Sequence, residues 1–111
     1  MADISLVKFT FKPGAKDDWL TWCDELKNRA AEVHETLSNE GVKLEACFIS
    51  EQEDACFYLM QADDIKKALE ISEKSNLPID NEHRVAFEKS LTYAEKYKPL
   101  FVFENSERST H

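Results

Sequence analysis

The order in which hydrophobic periodicity changes along this chain constrains its fold more than any other feature. Apolar residues alternate over Ile4–Lys12 and then follow a helical period over Lys16–Ser38. Alternation returns in Val42–Ser50 and Asp54–Ala62, and a broken helical pattern covers Asp63–Ser75 and Asn81–Tyr97. Leu100–Glu104 reads as a last strand. The order strand–helix–strand–strand–helix–strand predicts an α+β protein, the ferredoxin-like β-α-β-β-α-β sandwich, with a four-stranded antiparallel sheet and helices on one face. At 111 residues one domain is expected, spanning residues 1–104, followed by a polar tail at 105–111.

Within these stretches the faces separate. Val7, Phe9 and Phe11 share one side of the first strand, and Ile4, Leu6, Lys8 and Thr10 the other. Lys12-Pro13-Gly14 turns the chain, and Asp17 and Asp18 suit the positive end of the next helix. That helix carries a stripe of Trp19, Trp22, Leu26, Ala30, Val33 and Leu37, with Arg29 and His34 flanking it and Gly41 closing it. The two middle strands read as a hairpin turning at Glu51-Gln52-Glu53, with Val42, Leu44, Ala46 and Phe48 on one face. If Ile49 faces Cys56, then Glu45, Cys47, Tyr58 and Met60 share a face, and a slip of one residue swaps the sets. Asp63 or Asp64 caps the next helix. Phe87, Leu91 and Ala94 form the stripe of the last helix, with His83 on it.

Composition excludes several classes. Asp and Glu number 22 against 14 Lys and Arg, a net charge of −8, and the basic residues are scattered. Such a surface repels phosphate backbones and anionic lipids, so neither nucleic acid nor membrane is an expected partner. No apolar run approaches the ~20 residues that span a bilayer, and Met1–Val7 lacks the pattern of a secretory leader. Cys23, Cys47 and Cys56 form an odd set with no close pair, which fits a reduced, cytoplasmic protein.

Three polar residues stand out against apolar surroundings. Glu45 interrupts an otherwise apolar strand; a carboxylate facing the helices would be desolvated and suited to proton transfer, unless the face is wet or a lysine offsets it. His83 inside an apolar stripe serves as a base, a ligand or a satisfied core residue. Tyr58 needs a partner for its hydroxyl if buried. The Trp19–Trp22 pair reads as packing, His34 as a half-exposed residue near a helix end, and the cysteines as inert. No ligand-type spacing joins His34, His83, Glu45 and Cys47, so no metal is expected. Two glycines allow neither a phosphate loop nor a dinucleotide fingerprint, so no cofactor is expected.

Lys12-Pro13-Gly14 with Trp19, Glu35-Thr36-Leu37, Glu45 with Phe48, Tyr58-Leu59, and His83 before Phe87 together resemble a small uncharacterised bacterial family. That family is of the dimeric α+β-barrel superfamily, which includes antibiotic-biosynthesis-type monooxygenases and haem-degrading enzymes. The resemblance covers about residues 4–104. It implies a protomer whose sheet packs on a second copy, and a pocket between sheet and helices with Glu45, Tyr58 and His83 as its polar residues. The haem-degrading relatives use an Asn on the first strand, where this chain offers Lys8 and Thr10, so that activity is not carried over. Two functions stay open. One is a cofactor-independent, monooxygenase-like enzyme or binder of a small apolar or aromatic molecule, with Glu45, His83 and Tyr58 catalytic. The other is a non-catalytic dimer whose Glu45, Tyr58 and His83 form a structural network. The residues also argue for the homodimer: helices cover one apolar sheet face, and a second copy would hide the other.

Overall fold

The computed structural model describes residues 3–105, so the expected tail beyond Asn105 lies outside the described residues. The elements run β1 (Asp3–Phe11), α1 (Lys16–Asn28), α2 (Ala30–Glu40), β2 (Val42–Ile49), β3 (Ala55–Ala62), α3 (Ile65–Lys74), α4 (Pro78–Ser90) and β4 (Leu91–Tyr97). The strands form one antiparallel sheet in the order β2-β3-β1-β4. The fold is therefore α+β, a four-stranded antiparallel sheet with helices.

Local chemistry explains most of the boundaries. Gly14 and Gly41 both take a positive φ, at the turn after β1 and at the end of α2. Asp64 caps α3, its side chain accepting from the Lys67 N–H at 3.1 Å. Pro78 opens α4, where its missing N–H costs nothing.

Two expectations are corrected. The long helix over Lys16–Ser38 is two helices, broken at Arg29, whose φ of −121° and ψ of 38° leave the helical region. No proline or glycine marks that break; the Arg29 side chain holds it, pairing with Glu32 at 2.7 Å and with Glu82 of α4 at 2.8 Å. The last strand is Leu91–Tyr97, not Leu100–Glu104, and the helix expected to reach Tyr97 ends at Ser90. Thr92 and Tyr93 are residues that suit a pleated surface, and pairing with β1 outweighs the helical spacing of Phe87, Leu91 and Ala94. Leu91 lies opposite Phe11, and Tyr93 opposite Phe9.

The hairpin pairs Ile49 with Cys56, Cys47 with Tyr58 and Glu45 with Met60. A register shift between Val42 and Leu44 refines the expected face, because Val42 pairs with buried Ala62 and so parts from Leu44. The helix-covered face holds two core clusters. Phe11, Trp19, Cys56 and Leu91 form one, with Phe9, Tyr58 and Phe87 packed against it. Val42, Ala62 and Ala68 form the other, with Leu37, Met60 and Ile65 around it. Trp19, only 1% exposed, anchors α1, and truncating such a residue costs ~3–5 kcal/mol.

The opposite face is open in the single chain. Leu44 and Phe48 are 46% and 55% exposed there. From Lys98 to Asn105 the chain forms no helix or strand, and Leu100, Phe101 and Phe103 are all exposed. Glu104 accepts from Gln61 Nε2 at 2.6 Å, which ties this segment to the end of β3.

Candidate functional site

Between the sheet and the helices lies a cavity of about 450 Å³. Its walls are mostly apolar, from Val7, Phe9, Val33, Leu37, Met60 and Phe87. Glu40, Glu45, Tyr58, Asp80 and His83 supply polar groups.

Strand alternation turns Glu45 and Tyr58 inward from neighbouring strands, and the α4 stripe of Ile79, His83 and Phe87 lays His83 over them. The Tyr58 hydroxyl donates to Glu45 Oε2 at 2.5 Å, and His83 Nε2 lies 3.3 Å from the same hydroxyl. On α1, Trp22 Nε1 donates to His83 Nδ1 at 2.9 Å. An indole N–H can only donate, so Nδ1 must accept, and a neutral imidazole then carries its proton on Nε2. That proton points to Tyr58, whose own proton is given to Glu45. The four side chains thus form a chain with one direction: Trp22 to His83 to Tyr58 to Glu45.

Burial tunes each member. It pushes the Glu45 carboxyl above its usual range, partly offset by the Tyr58 hydrogen bond. It also raises the Tyr58 hydroxyl well above its usual value, and the Glu45 charge adds to that. His83 is lowered by burial, against the opposing pull of Asp80, so the neutral imidazole is the favoured form.

A second polar group closes the cavity on the α2 side. The Thr36 hydroxyl sits 2.7 Å from both oxygens of Asp80, and Ser75 Oγ donates to the same carboxylate. Thr36 and Asp80 are both buried. Glu40 Oε2 lies 3.3 Å from Thr36 Oγ1, whose single proton is already shared between the Asp80 oxygens. Burial, then the charges of Asp80 and Glu45, push the Glu40 carboxyl up to about 7. Arg84 is occupied on the rim, donating to the Ser72 carbonyl at 2.6 Å and the Ser75 carbonyl at 3.1 Å.

The structure brings Glu45, Tyr58 and His83 together, as side chains of three different elements. His34 is exposed on α2, away from the cavity. Sequence reasoning missed Trp22 as a donor, and Thr36, Glu40 and Asp80 altogether. A signal existed for Thr36, a hydroxyl three residues after Val33 on a helix with an apolar stripe. Asp80, in the first turn of a proline-started helix, looks like any dipole-complementing acid. Among the described residues, no group of three His, Cys, Asp or Glu is placed to hold a metal ion, and no helix is long and apolar enough to cross a membrane.

Fold and site define an α+β protein with a mostly apolar cavity whose polar groups converge from sheet and helices. Residues 2–108 match a family of unknown function, DUF6176, and the chain belongs to that family. No curated protein and no solved structure matches it.

Proposed function

We propose that the protein binds a small, mostly apolar or aromatic molecule in the cavity and moves a proton at it with Glu45, without a cofactor. The observation that carries this reading is a directional hydrogen-bond chain ending in a desolvated carboxyl beside a cavity of about 450 Å³. That volume is within the ~300–1,000 Å³ typical of ligand pockets. Glu45 takes or places the proton, since its raised pKa brings it nearer neutral pH. Tyr58 aims the carboxyl, His83 holds Tyr58, and Trp22 selects the His83 tautomer. Glu45, Tyr58 and His83 are the residues assigned to the chemistry.

The same proposal assigns the chain to the monooxygenase-like, dimeric α+β-barrel superfamily and its sheet to the ferredoxin-like arrangement. The sheet order β2-β3-β1-β4 supports this, with β1 paired between β3 and β4. The functional unit is a homodimer through the open sheet face, in the cytoplasm. Leu44 and Phe48 on that face, with Leu100, Phe101 and Phe103 exposed in the segment that Glu104 ties to Gln61 of β3, support a second copy as the occupant. A four-stranded face measures roughly 20 by 25 Å, and with the added arm it approaches the ~800 Å² per partner of a stable interface. Three free thiols support the reducing compartment.

The second reading, a purely structural network, is favoured by the way Trp22, His83 and Tyr58 satisfy one another. Thermal-shift screening with aromatic compounds, on wild type and Glu45→Gln, separates the two. A binder or enzyme gives a ligand-induced rise in Tm. Glu45→Gln then alters binding or turnover while the ligand-free Tm holds. If no compound stabilises the protein and Glu45→Gln only lowers Tm, the structural reading stands instead.

A further inference from the structure

The polar groups around the cavity divide unevenly into donors already engaged and acceptors still open. The line from Trp22 through His83 and Tyr58 ends by giving a proton to Glu45 Oε2. The Thr36 proton is held between the two Asp80 oxygens, each 2.7 Å away. Arg84 is the one Lys or Arg among the described residues that line the cavity. Its terminal nitrogens are turned to the carbonyls of Ser72 and Ser75 and to Asn81 Oδ1. The hydroxyls of Ser5 and Tyr93 remain, and a hydroxyl accepts as well as it donates.

Two carboxyls on the same wall keep unused acceptor capacity. Glu45 accepts from the Tyr58 phenol through one oxygen, which leaves Oε1 facing the cavity side. Glu40 lies 3.3 Å from the Thr36 hydroxyl, whose proton is already engaged by Asp80. Ser72 is its other polar neighbour, and one hydroxyl proton does not fill the roughly four acceptor sites of a carboxylate. The ion pairs among the described residues all use other acids, so Glu40, Glu45 and Asp80 share the cavity without a cationic side chain against them. Burial first, and then neighbouring acids, raise both the Glu40 and the Glu45 carboxyl, the direction expected where no counter-ion is present. The apolar wall has its own character. Phe9 meets Phe87 edge to face with centroids 4.7 Å apart, and Tyr93 lies 6.3 Å from Phe9. Such rings attract both another ring and a cation.

We propose that the guest of this cavity is an arylalkylamine, an aromatic ring carrying a protonated amine on a short chain, with the ammonium bound by Glu40 and the ring against Phe9 and Phe87. The inference rests on the proposed cavity function and narrows it to one class of guest. An ammonium brings three donors and no acceptor, which complements a wall whose own donors are engaged. It also supplies the positive charge that three clustered acids lack, in a setting where a charge-assisted bond is strong. A guest carboxylate meets the reverse, with no free cation to receive it and three acids to repel it. Anchoring by Glu40 leaves Glu45 for proton movement, so two carboxyls of one cavity take separate tasks.

The test titrates the full-length protein at pH 8 with three guests matched in ring and chain: 2-phenylethylamine, 2-phenylethanol and 3-phenylpropionate. Binding is followed by methyl NMR at Leu37, which lines the cavity. The amine should bind roughly tenfold more tightly than the alcohol, as for a hydrogen bond to a charged group, and the propionate most weakly. Glu40→Gln should bring the amine to within about threefold of the alcohol while the affinity for the alcohol holds, which also shows that the variant is folded. Glu35→Gln removes an equal charge from an exposed site on the same helix and should keep the full preference. The amine class is overturned, with the cavity function intact, if the alcohol or the propionate binds as tightly as the amine. It is equally overturned if the preference survives Glu40→Gln or disappears in Glu35→Gln. If none of the three guests shifts Leu37, the cavity function itself fails and this inference with it.

Discussion

The cavity has two polar walls, and they are built on different logic. On the sheet side, Trp22, His83, Tyr58 and Glu45 form a line in which each group gives one hydrogen bond to the next. Its terminal carboxyl accepts from a single phenol and faces mostly apolar space. On the α2 side, Asp80 draws in hydroxyls from α2 and from the loop after α3, so it clamps three segments of chain together. The line leaves a reactive end, whereas the clamp consumes its acceptor. Two carboxyls in one cavity are thereby given different work: Asp80 holds the helices in place, and Glu45 is left with capacity for a guest. Glu40 stands between them, near neutral in pKa because burial and both neighbouring acids oppose its ionisation.

That contrast breaks most sharply at the clamp. Asp80→Ala strands the Thr36 and Ser75 hydroxyls and should destabilise the fold by about 3 kcal/mol, read from urea midpoints. A loss under about 1 kcal/mol would remove the distinction between the walls. Tyr58→Phe comes next, at about 2 kcal/mol, because it leaves the Glu45 carboxyl without its donor. Trp22→Phe should cost about 1 kcal/mol, and its sharper readout is nitrogen NMR of the imidazole. Wild type should show the proton on Nε2 of His83, and the variant a mixture of tautomers.

The smallest expected effect is on pH dependence. The Glu40 carboxyl is raised from its usual 4.5 to about 7 on folding. Below pH 4.5 both states keep the proton, and the fold loses nothing. As pH rises through this interval the unfolded chain gives up its proton first, so stability falls between about 4.5 and 7. Discounted for the half-exposed position, the loss is about 1 kcal/mol, and Glu45 adds in the same direction. Glu32 and Glu82 are lowered by Arg29 and act in a separate, more acid window, where stability falls as pH falls. His83, lowered by burial, opposes Glu40 and Glu45 over their window, because the unfolded chain takes up its proton first as pH falls. The Glu40 contribution is therefore read from the variant: Glu40→Gln should shift the balance of urea midpoints at pH 5 and 7.5 towards pH 7.5, relative to wild type.

What the sequence revealed follows from how local the cause was. Alternation in β1 and the hairpin was legible because side-chain direction is a property of neighbouring residues, and the conditional pairing of Ile49 with Cys56 is the pairing observed. Glu45, Tyr58 and His83 stood out because each interrupts an apolar pattern. β4 was misread because Leu91–Tyr97 satisfies both helical and alternating spacing, and only β1, some eighty residues earlier, decides between them. The break at Arg29 depends on Glu82, on another helix, and has no local punctuation. Thr36 and Asp80 are 44 residues apart, and each alone resembles an ordinary helix residue. Trp22 was read as packing because its N–H partner comes from α4.

The claim on which the account rests is that the cavity beside Glu45 takes a guest. A methyl-labelled sample titrated with small aromatic compounds and followed by NMR tests it directly. The account predicts saturable shifts at Val7, Leu37 and Met60, which line the cavity, and altered affinity in Glu45→Gln. Shifts confined to Leu44 and Leu100 outside the cavity, or none with any compound, would contradict it.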